Sequence, residues 1–135
     1  MRYLAIDYGD KYTGLAICDL NEKIASPLTV LEGRKNLIKK ITDIAESEKV
    51  EALVLGLPLN MDDSKGPKAE QVTRFAEQLK AHLKIPVHLQ DERLTSFAAE
   101  KKLAPADFTR KKKKKRLDAV AAAEILQAFL EQKKH

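Results

Sequence analysis

Three acidic residues in three separate settings carry the chemistry open to this chain. Asp7 ends the apolar run Tyr3-Leu4-Ala5-Ile6. Glu92 lies just after a second run, Val87-His88-Leu89-Gln90-Asp91. Asp118 sits where a lysine run meets an apolar helical pattern, in Lys115-Arg116-Leu117-Asp118-Ala119-Val120. A carboxylate at the end of a buried strand is costly unless it is paired, hydrated or bound to a metal. Clustered carboxylates repel each other and must either protonate or gather cations. Mg²⁺ prefers oxygen ligands, keeps several waters and completes its shell with substrate phosphate. Two such ions can activate an attacking water and stabilise the leaving oxygen of an in-line displacement. Three acids near a strongly basic segment therefore point to a hard-metal site beside a phosphate-binding surface.

The net charge is +5, but its distribution says more. The stretch from Lys101 to Arg116 holds nine Lys or Arg and one acid, Asp107, so the rest of the chain is net negative. Lys111, Lys112, Lys113, Lys114, Lys115 and Arg116 are consecutive within it. Such a stripe binds phosphate backbones by counterion release, without reading sequence. A solvated lysine loop that aids solubility is the competing reading; the adjoining Asp118 favours nucleic acid. Lys11, on the turn after Asp7, fits a phosphate contact or a solvated surface lysine equally. Gly9 and Gly14 would let a bulky polyanion approach that turn closely. Arg93 fits an orienting contact to Glu92, a phosphate contact or a structural salt bridge. His82, His88 and His135 lack ligand spacing.

The elements that must position these residues follow from periodicity. Residues 3–7 and 12–18 read as a hairpin with Gly at the turn, and Ile24 to Val30 adds a third strand, edge or bulged because of Pro27. Asn36 opens a helix whose stripe is Leu37, Ile38, Ile41, Ile44 and Ala45. Ala52-Leu53-Val54-Leu55-Gly56 has the continuous apolar character of a central strand buried on both faces. After a loop from Leu57 to Pro67, a second helix spans Lys68 to Lys84 with Val72, Phe75, Ala76 and Leu79 inward. Val87-His88-Leu89 forms another strand. Thr95 caps a helix through Leu103, and a final helix runs from Leu117 to Leu130. The expected architecture is one α/β domain over residues 1–135. Its mixed five-stranded sheet combines a three-strand antiparallel meander with parallel strands, and helices flank it. Active sites in such sheets lie outside the carboxyl ends of the parallel strands, where Asp7 and Glu92 fall. In the last helix Asp118 shares a stripe with Ala121, Ala122, Ile125 and Phe129, so its carboxylate points inward at the helix N-terminal end. An N-cap or first-turn Asp stabilised by the helix dipole is the competing reading.

The length suits one domain with a real core. No apolar run reaches the ~18–20 residues of a membrane span, and the N-terminus lacks a secretory pattern. Cys18, the single cysteine, falls in an apolar segment and reads as a buried structural thiol. A cytoplasmic location follows by default.

Four segments occur in order: Asp7-Tyr8-Gly9-Asp10-Lys11-Tyr12-Thr13-Gly14-Leu15-Ala16, Gly56-Leu57-Pro58-Leu59-Asn60, Asp91-Glu92-Arg93-Leu94-Thr95-Ser96 and Lys115-Arg116-Leu117-Asp118-Ala119-Val120-Ala121-Ala122. Together they resemble the YqgF family, whose members are labelled Holliday junction resolvases or pre-16S ribosomal RNA nucleases. The resemblance covers nearly the whole chain. Its Asp-Glu-Arg-Leu-Thr motif is specific, whereas Asp-x-Gly alone is weak. It implies a ribonuclease H-like fold and metal-dependent phosphodiester cleavage, with Asp7, Glu92 and Asp118 as the acidic residues. Asp91 is a neighbour that could substitute as a ligand or play a structural part. Two positions depart from the family pattern. Tyr12 stands where Arg is common, and Asp62-Asp63-Ser64 replaces Asp-Gly-Ser, so a somewhat different loop is expected there.

The first functional reading is a nuclease using Mg²⁺ or Mn²⁺ on structured RNA, such as pre-16S ribosomal RNA, or on branched DNA. Lys111 to Arg116 would hold the backbone. A junction resolvase would need a homodimer to cut two strands symmetrically, and no decisive dimer patch stands out. The second reading is a nucleotide phosphotransferase of actin-like fold, since Asp-x-Gly before a hairpin also opens those enzymes. They need two lobes and a second Gly-rich loop, and this chain has room for one lobe. The third is a non-catalytic RNA-binding or ribosome-assembly module that keeps the fold alone.

Overall fold

The computed structural model describes residues 1–60, 62, 64–92 and 110–133. The helix expected from Thr95 to Leu103, and the departure at Asp63, lie outside them. Strands β1 (Tyr3–Asp7), β2 (Tyr12–Cys18) and β3 (Ala25–Glu32) precede helix α1 (Leu37–Ser47). Then follow β4 (Ala52–Leu57), α2 (Pro67–His82), β5 (Val87–Asp91) and α3 (Arg110–Lys133). The sheet order is β3-β2-β1-β4-β5. β1, β2 and β3 form the antiparallel meander, and β1, β4 and β5 run parallel. β3 is an edge strand, as Pro27 predicts: proline cannot donate to a second ladder. The register against β2 slips at Leu15/Ala16, whose partners are Thr29 and Pro27, so Leu28 is an extra residue in a bulge.

Strand alternation sorts side chains between two cores. Leu4, Ile6, Leu15, Leu53 and Leu55 face α1 and α2, where they meet Leu37, Ile41, Val72, Phe75 and Leu79. Tyr3, Ala5, Ala16, Ala52 and Val54 face α3, where they meet Ala122, Ile125, Leu126 and Leu130. The sheet-facing residues on the α3 side are mostly small, so the helix can lie close to the sheet. Gln127 ties α3 to the meander: its Oε1 accepts from Ala25 N at 3.0 Å, and its Nε2 donates to Lys23 O at 3.2 Å. Cys18 is buried and its Sγ accepts from Tyr3 N at 3.2 Å; burial pushes the thiol pKa up, as suits a structural cysteine. Among the described residues, no helix is long and apolar enough to cross a membrane.

The last helix departs from expectation. It begins at Arg110, not Leu117, and takes in the whole run Lys111 to Arg116. Lys and Arg are good helix formers, and the run contains no Gly or Pro to stop a helix that the alanines beyond it favour. Asp118 therefore lies in the third turn, too far in for an N-cap or a first-turn dipole contact.

Candidate active site

Period-two alternation determines which carboxylates can meet. Asp7 ends β1 with the parity of Tyr3 and Ala5, so it belongs to the α3 face. Its register partner on β2 is Gly14. A Cβ at Gly14 would collide with the Asp118 carbonyl and come within 2.8 Å of Ala119 N. The main chain of α3 thus rests on the residue paired with Asp7, which brings Asp118 over the same edge. Glu92 follows β5 directly, and its N–H donates to Leu57 O at 3.3 Å, beyond the last ladder pair. A Cβ at Gly56 would strike the Glu92 carboxylate and lie 2.5 Å from Ile125 Cδ1. Gly56 therefore makes the notch in β4 where the Glu92 carboxylate sits beneath α3.

Electrostatics link Asp7 and Glu92. Burial pushes the Asp7 carboxyl up to about 6, opposed by the charge of Lys68. Burial pushes Glu92 up to about 7, helped by the charges of Asp7 and Asp91 and again opposed by Lys68. The two acids share one poorly hydrated edge, each disfavouring ionisation of the other. Holding Asp7 so far from its ordinary value costs on the order of 3 kcal/mol near neutrality. The fully buried Ile125, Leu126 and Leu130 offset this at roughly 1.5–3 kcal/mol each. Packing of α3 can therefore hold the acids together against their repulsion. Asp118 is half-buried, with its Oδ2 fully covered. Among the described residues, no three His, Cys, Asp or Glu side chains stand at metal-binding spacing. The direct link is between Asp7 and Glu92, and Asp118 joins them through its backbone seat on Gly14.

The remaining candidates divide. Lys11 is exposed in the β1–β2 turn. Lys111, Lys112, Lys113, Lys114, Lys115 and Arg116 occupy the opening turns of α3, leading toward Asp118 along one continuous helix. Arg93 lies outside the described residues. Asp91 ends β5 with the opposite parity to Glu92 and is exposed. The protein's own backbone needs both glycines of the hairpin. Gly14 seats α3, and a Cβ at Gly9 would collide with the Tyr12 carbonyl across the turn.

Lys68 is a site residue that the motifs do not mark, although the sequence holds a signal for it. Pro67 occupies the first turn of α2, as proline often does at a helix start. A crossover helix following a parallel strand begins at the strand's carboxyl end, the edge that holds the acids. Arg34, which reaches Asp10 in the β1–β2 turn from the loop before α1, has no comparable signal.

Residues 1–132 match the model of a family described as "RuvX: Holliday junction resolvase". A protein of Caldanaerobacter subterraneus subsp. tengcongensis named "Putative pre-16S rRNA nuclease" is 43% identical over 139 residues, covering 100% of this chain and 99% of its own. One of the same name from Syntrophomonas wolfei subsp. wolfei is 41% identical over 133 residues, covering 97% and 94%. Among solved structures, Thermus thermophilus RuvC in complex with a Holliday junction substrate superposes with a TM-score of 0.63 at 14% identity. That superposition covers 99% of this chain and 96% of that one, a likeness of fold.

Proposed function

This chain belongs to the RuvX family, and from that premise we propose that it is a metal-dependent nuclease that hydrolyses phosphodiester bonds in structured nucleic acid, pre-16S ribosomal RNA first. The observation that carries the reading is the shared burial of Asp7 and Glu92 at the carboxyl edge of the parallel strands, with α3 laid over them at Asp118. The donor set suits Mg²⁺ or Mn²⁺: it offers only carboxylate oxygens, crowded enough to favour a cation over two separate hydration shells. Asp7 and Glu92, which share the edge, would hold the metal, and Asp118 would be its third carboxylate once a bound ion draws the three into ligand spacing. A bound divalent ion, or a pair, supplies an activated water and stabilises charge on the leaving oxygen.

The chain's own groups do the rest. Gly14 and Gly56 let α3 and the Glu92 carboxylate close on the edge. The apolar packing beneath Ile125 excludes bulk water from one side of the acids. Lys111 to Arg116 would draw in the phosphate backbone, with Lys11 and Arg93 as further anchors. A cytoplasmic setting accords with an RNA precursor as substrate.

RNA is favoured over branched DNA because two relatives above 40% identity carry the ribosomal name. Cleavage of precursor RNA also requires no symmetric pair of active sites. Labelled precursor RNA and a four-way DNA junction, each incubated with Mg²⁺ or Mn²⁺, test this directly. Cleavage of the RNA alone by the parent, lost in Asp7→Asn, is the expected result. Cleavage of the junction alone, by a dimer, would transfer the reading to branched DNA. Neither substrate cut under either metal would leave a binding module.

A further inference from the structure

Tyr8 follows Asp7 but has the opposite strand parity, so it belongs to the α1–α2 side of the sheet. Its ring stacks on Phe75, with centroids 4.2 Å apart and planes 14° apart. Two cations gather on that ring: the Arg34 guanidinium carbon lies 4.7 Å from its centroid and Lys68 Nζ 5.6 Å from it. Both also reach the β1–β2 turn. Arg34 Nη2 donates to Asp10 Oδ1 at 2.9 Å, and Lys68 Nζ stands 3.7 Å from the same oxygen.

Stability alone gives a poor account of this cluster. The side chains are 43% (Arg34), 40% (Lys68) and 79% (Asp10) exposed, and exposed ion pairs contribute little. What the arrangement does achieve is preorganisation. The rigid Tyr8–Phe75 stack holds two long, flexible cations before any ligand arrives, which lowers the entropy lost when they bind one. The Arg34 fork carries five donors and the bond to Asp10 uses one, so a tetrahedral anion could engage it further. A groove of about 580 Å³ between α1 and α2 continues from this point. Its charged or titratable walls among the described residues are Tyr8, Arg34, Lys39 and His82, with no carboxylate among them. The nearest acid on α1, Asp43, pairs with Lys39 at 3.1 Å on the exposed surface.

We propose that Arg34 and Lys68, held over Tyr8, form a phosphate seat for the substrate strand on the sheet face opposite α3, with Asp10 as the internal anion that a substrate phosphate displaces. The inference rests on the nuclease reading and extends it. The strand would pass from the basic turns of α3, across the carboxyl edge at Asp7 and Glu92, and down onto the α1–α2 side.

Charge variants with opposite expected signs test this. Binding is measured in the Asp7→Asn background, so that no cleavage intervenes, by filter-binding titration of a labelled pre-16S RNA fragment over a range of salt. The double variant Arg34→Gln/Lys68→Gln should bind several-fold more weakly and reduce the salt slope by up to about 2. The charge-conserving double variant Arg34→Lys/Lys68→Arg should retain most of the binding. Asp10→Asn should bind two- to five-fold more tightly, because it frees both cations. A purely structural ion pair gives a different pattern, with lower melting temperatures for Asp10→Asn and Arg34→Gln/Lys68→Gln and no gain in affinity. The seat is overturned if Arg34→Gln/Lys68→Gln binds like its background or if Asp10→Asn fails to tighten binding. The Lys112→Gln/Lys113→Gln/Lys114→Gln variant separates this failure from that of the nuclease reading. Weaker binding there, beside a silent Arg34→Gln/Lys68→Gln, removes the seat and leaves the nuclease intact. Absence of cleavage by the parent protein removes the nuclease reading itself.

Discussion

The carbonyl of Asp118 lies directly over Gly14, with no room between them for a side-chain carbon. The register partner of Gly14 is Asp7. One glycine therefore sets how close the last helix comes to the first strand, and with it the spacing of two carboxylates. Gly14→Ala should lift α3 and cost about 1–3 kcal/mol, as overpacking does. Cleavage should fall further than stability explains. Melts and single-turnover cleavage rates on the same preparation check this. An unshifted melting temperature would mean that the helix does not rest there.

Gly56→Ala probes the other notch. The added methyl would displace the Glu92 carboxylate and press on Ile125. A lower cleavage rate with RNA affinity unchanged is expected, because the phosphate-binding groups lie elsewhere. Loss of affinity in parallel with rate would contradict that division.

Asp7→Asn, Glu92→Gln and Asp118→Asn keep shape and remove charge. Each should reduce cleavage by more than the roughly 10- to 100-fold expected when a group merely supporting a metal ligand is removed. Nucleic-acid binding should change little in each. Cleavage at the parental rate in all three would eliminate the proposed metal site.

The acids also predict a pH signature in chelator. The folded-state values of Asp7 and Glu92, about 6 and about 7, lie above their ordinary 3.8 and 4.5. The folded protein therefore holds protons that the unfolded chain has released. Their contribution to stability is full below about pH 4 and is lost as pH rises through 6 and 7. Urea midpoints measured from pH 4 to pH 8 should show this decline in the parent and a shallower one in Asp7→Asn. Divalent metal should restore more stability at pH 8 than at pH 5. Equal slopes in parent and variant would count against close approach of the two acids.

The lysines of α3 should act through charge alone. Lys112→Gln/Lys113→Gln/Lys114→Gln keeps good helix formers in place. It should flatten the salt dependence of RNA and DNA binding alike, by about 0.9 for each duplex phosphate that is no longer neutralised. An unchanged slope would make the run a solvated surface.

Much of this arrangement was legible in the residues because it follows local period. The apolar runs of β1, β2 and β4, the inward face of α2 and the edge character imposed by Pro27 all appear where periodicity and proline chemistry put them. The start of α3 was not legible, because a run of lysines has no amphipathic signal although its helix propensity is high. The close fits at Gly14 and Gly56 were hidden for another reason. They depend on which elements meet across the sheet, which no single stretch of sequence records. The gathering of Arg34, Lys68 and Asp10 around Tyr8 was hidden in the same way: loops and a helix start, far apart in the chain, converge on one ring.

Asp7 and Tyr8 are neighbours joined by one peptide bond, yet they serve opposite faces of the sheet. Loss of a single residue within β1 would put the Tyr8 ring in the place of Asp7 among the acids, and gain of one would put the Asp7 carboxylate in the place of Tyr8 against Phe75. Substitutions in β1 can be graded by size and polarity, but a shift in length cannot. Drift in this strand is therefore confined to residue type. An insertion that left every hydrophobic residue intact would still exchange the faces of the β1 residues beyond it.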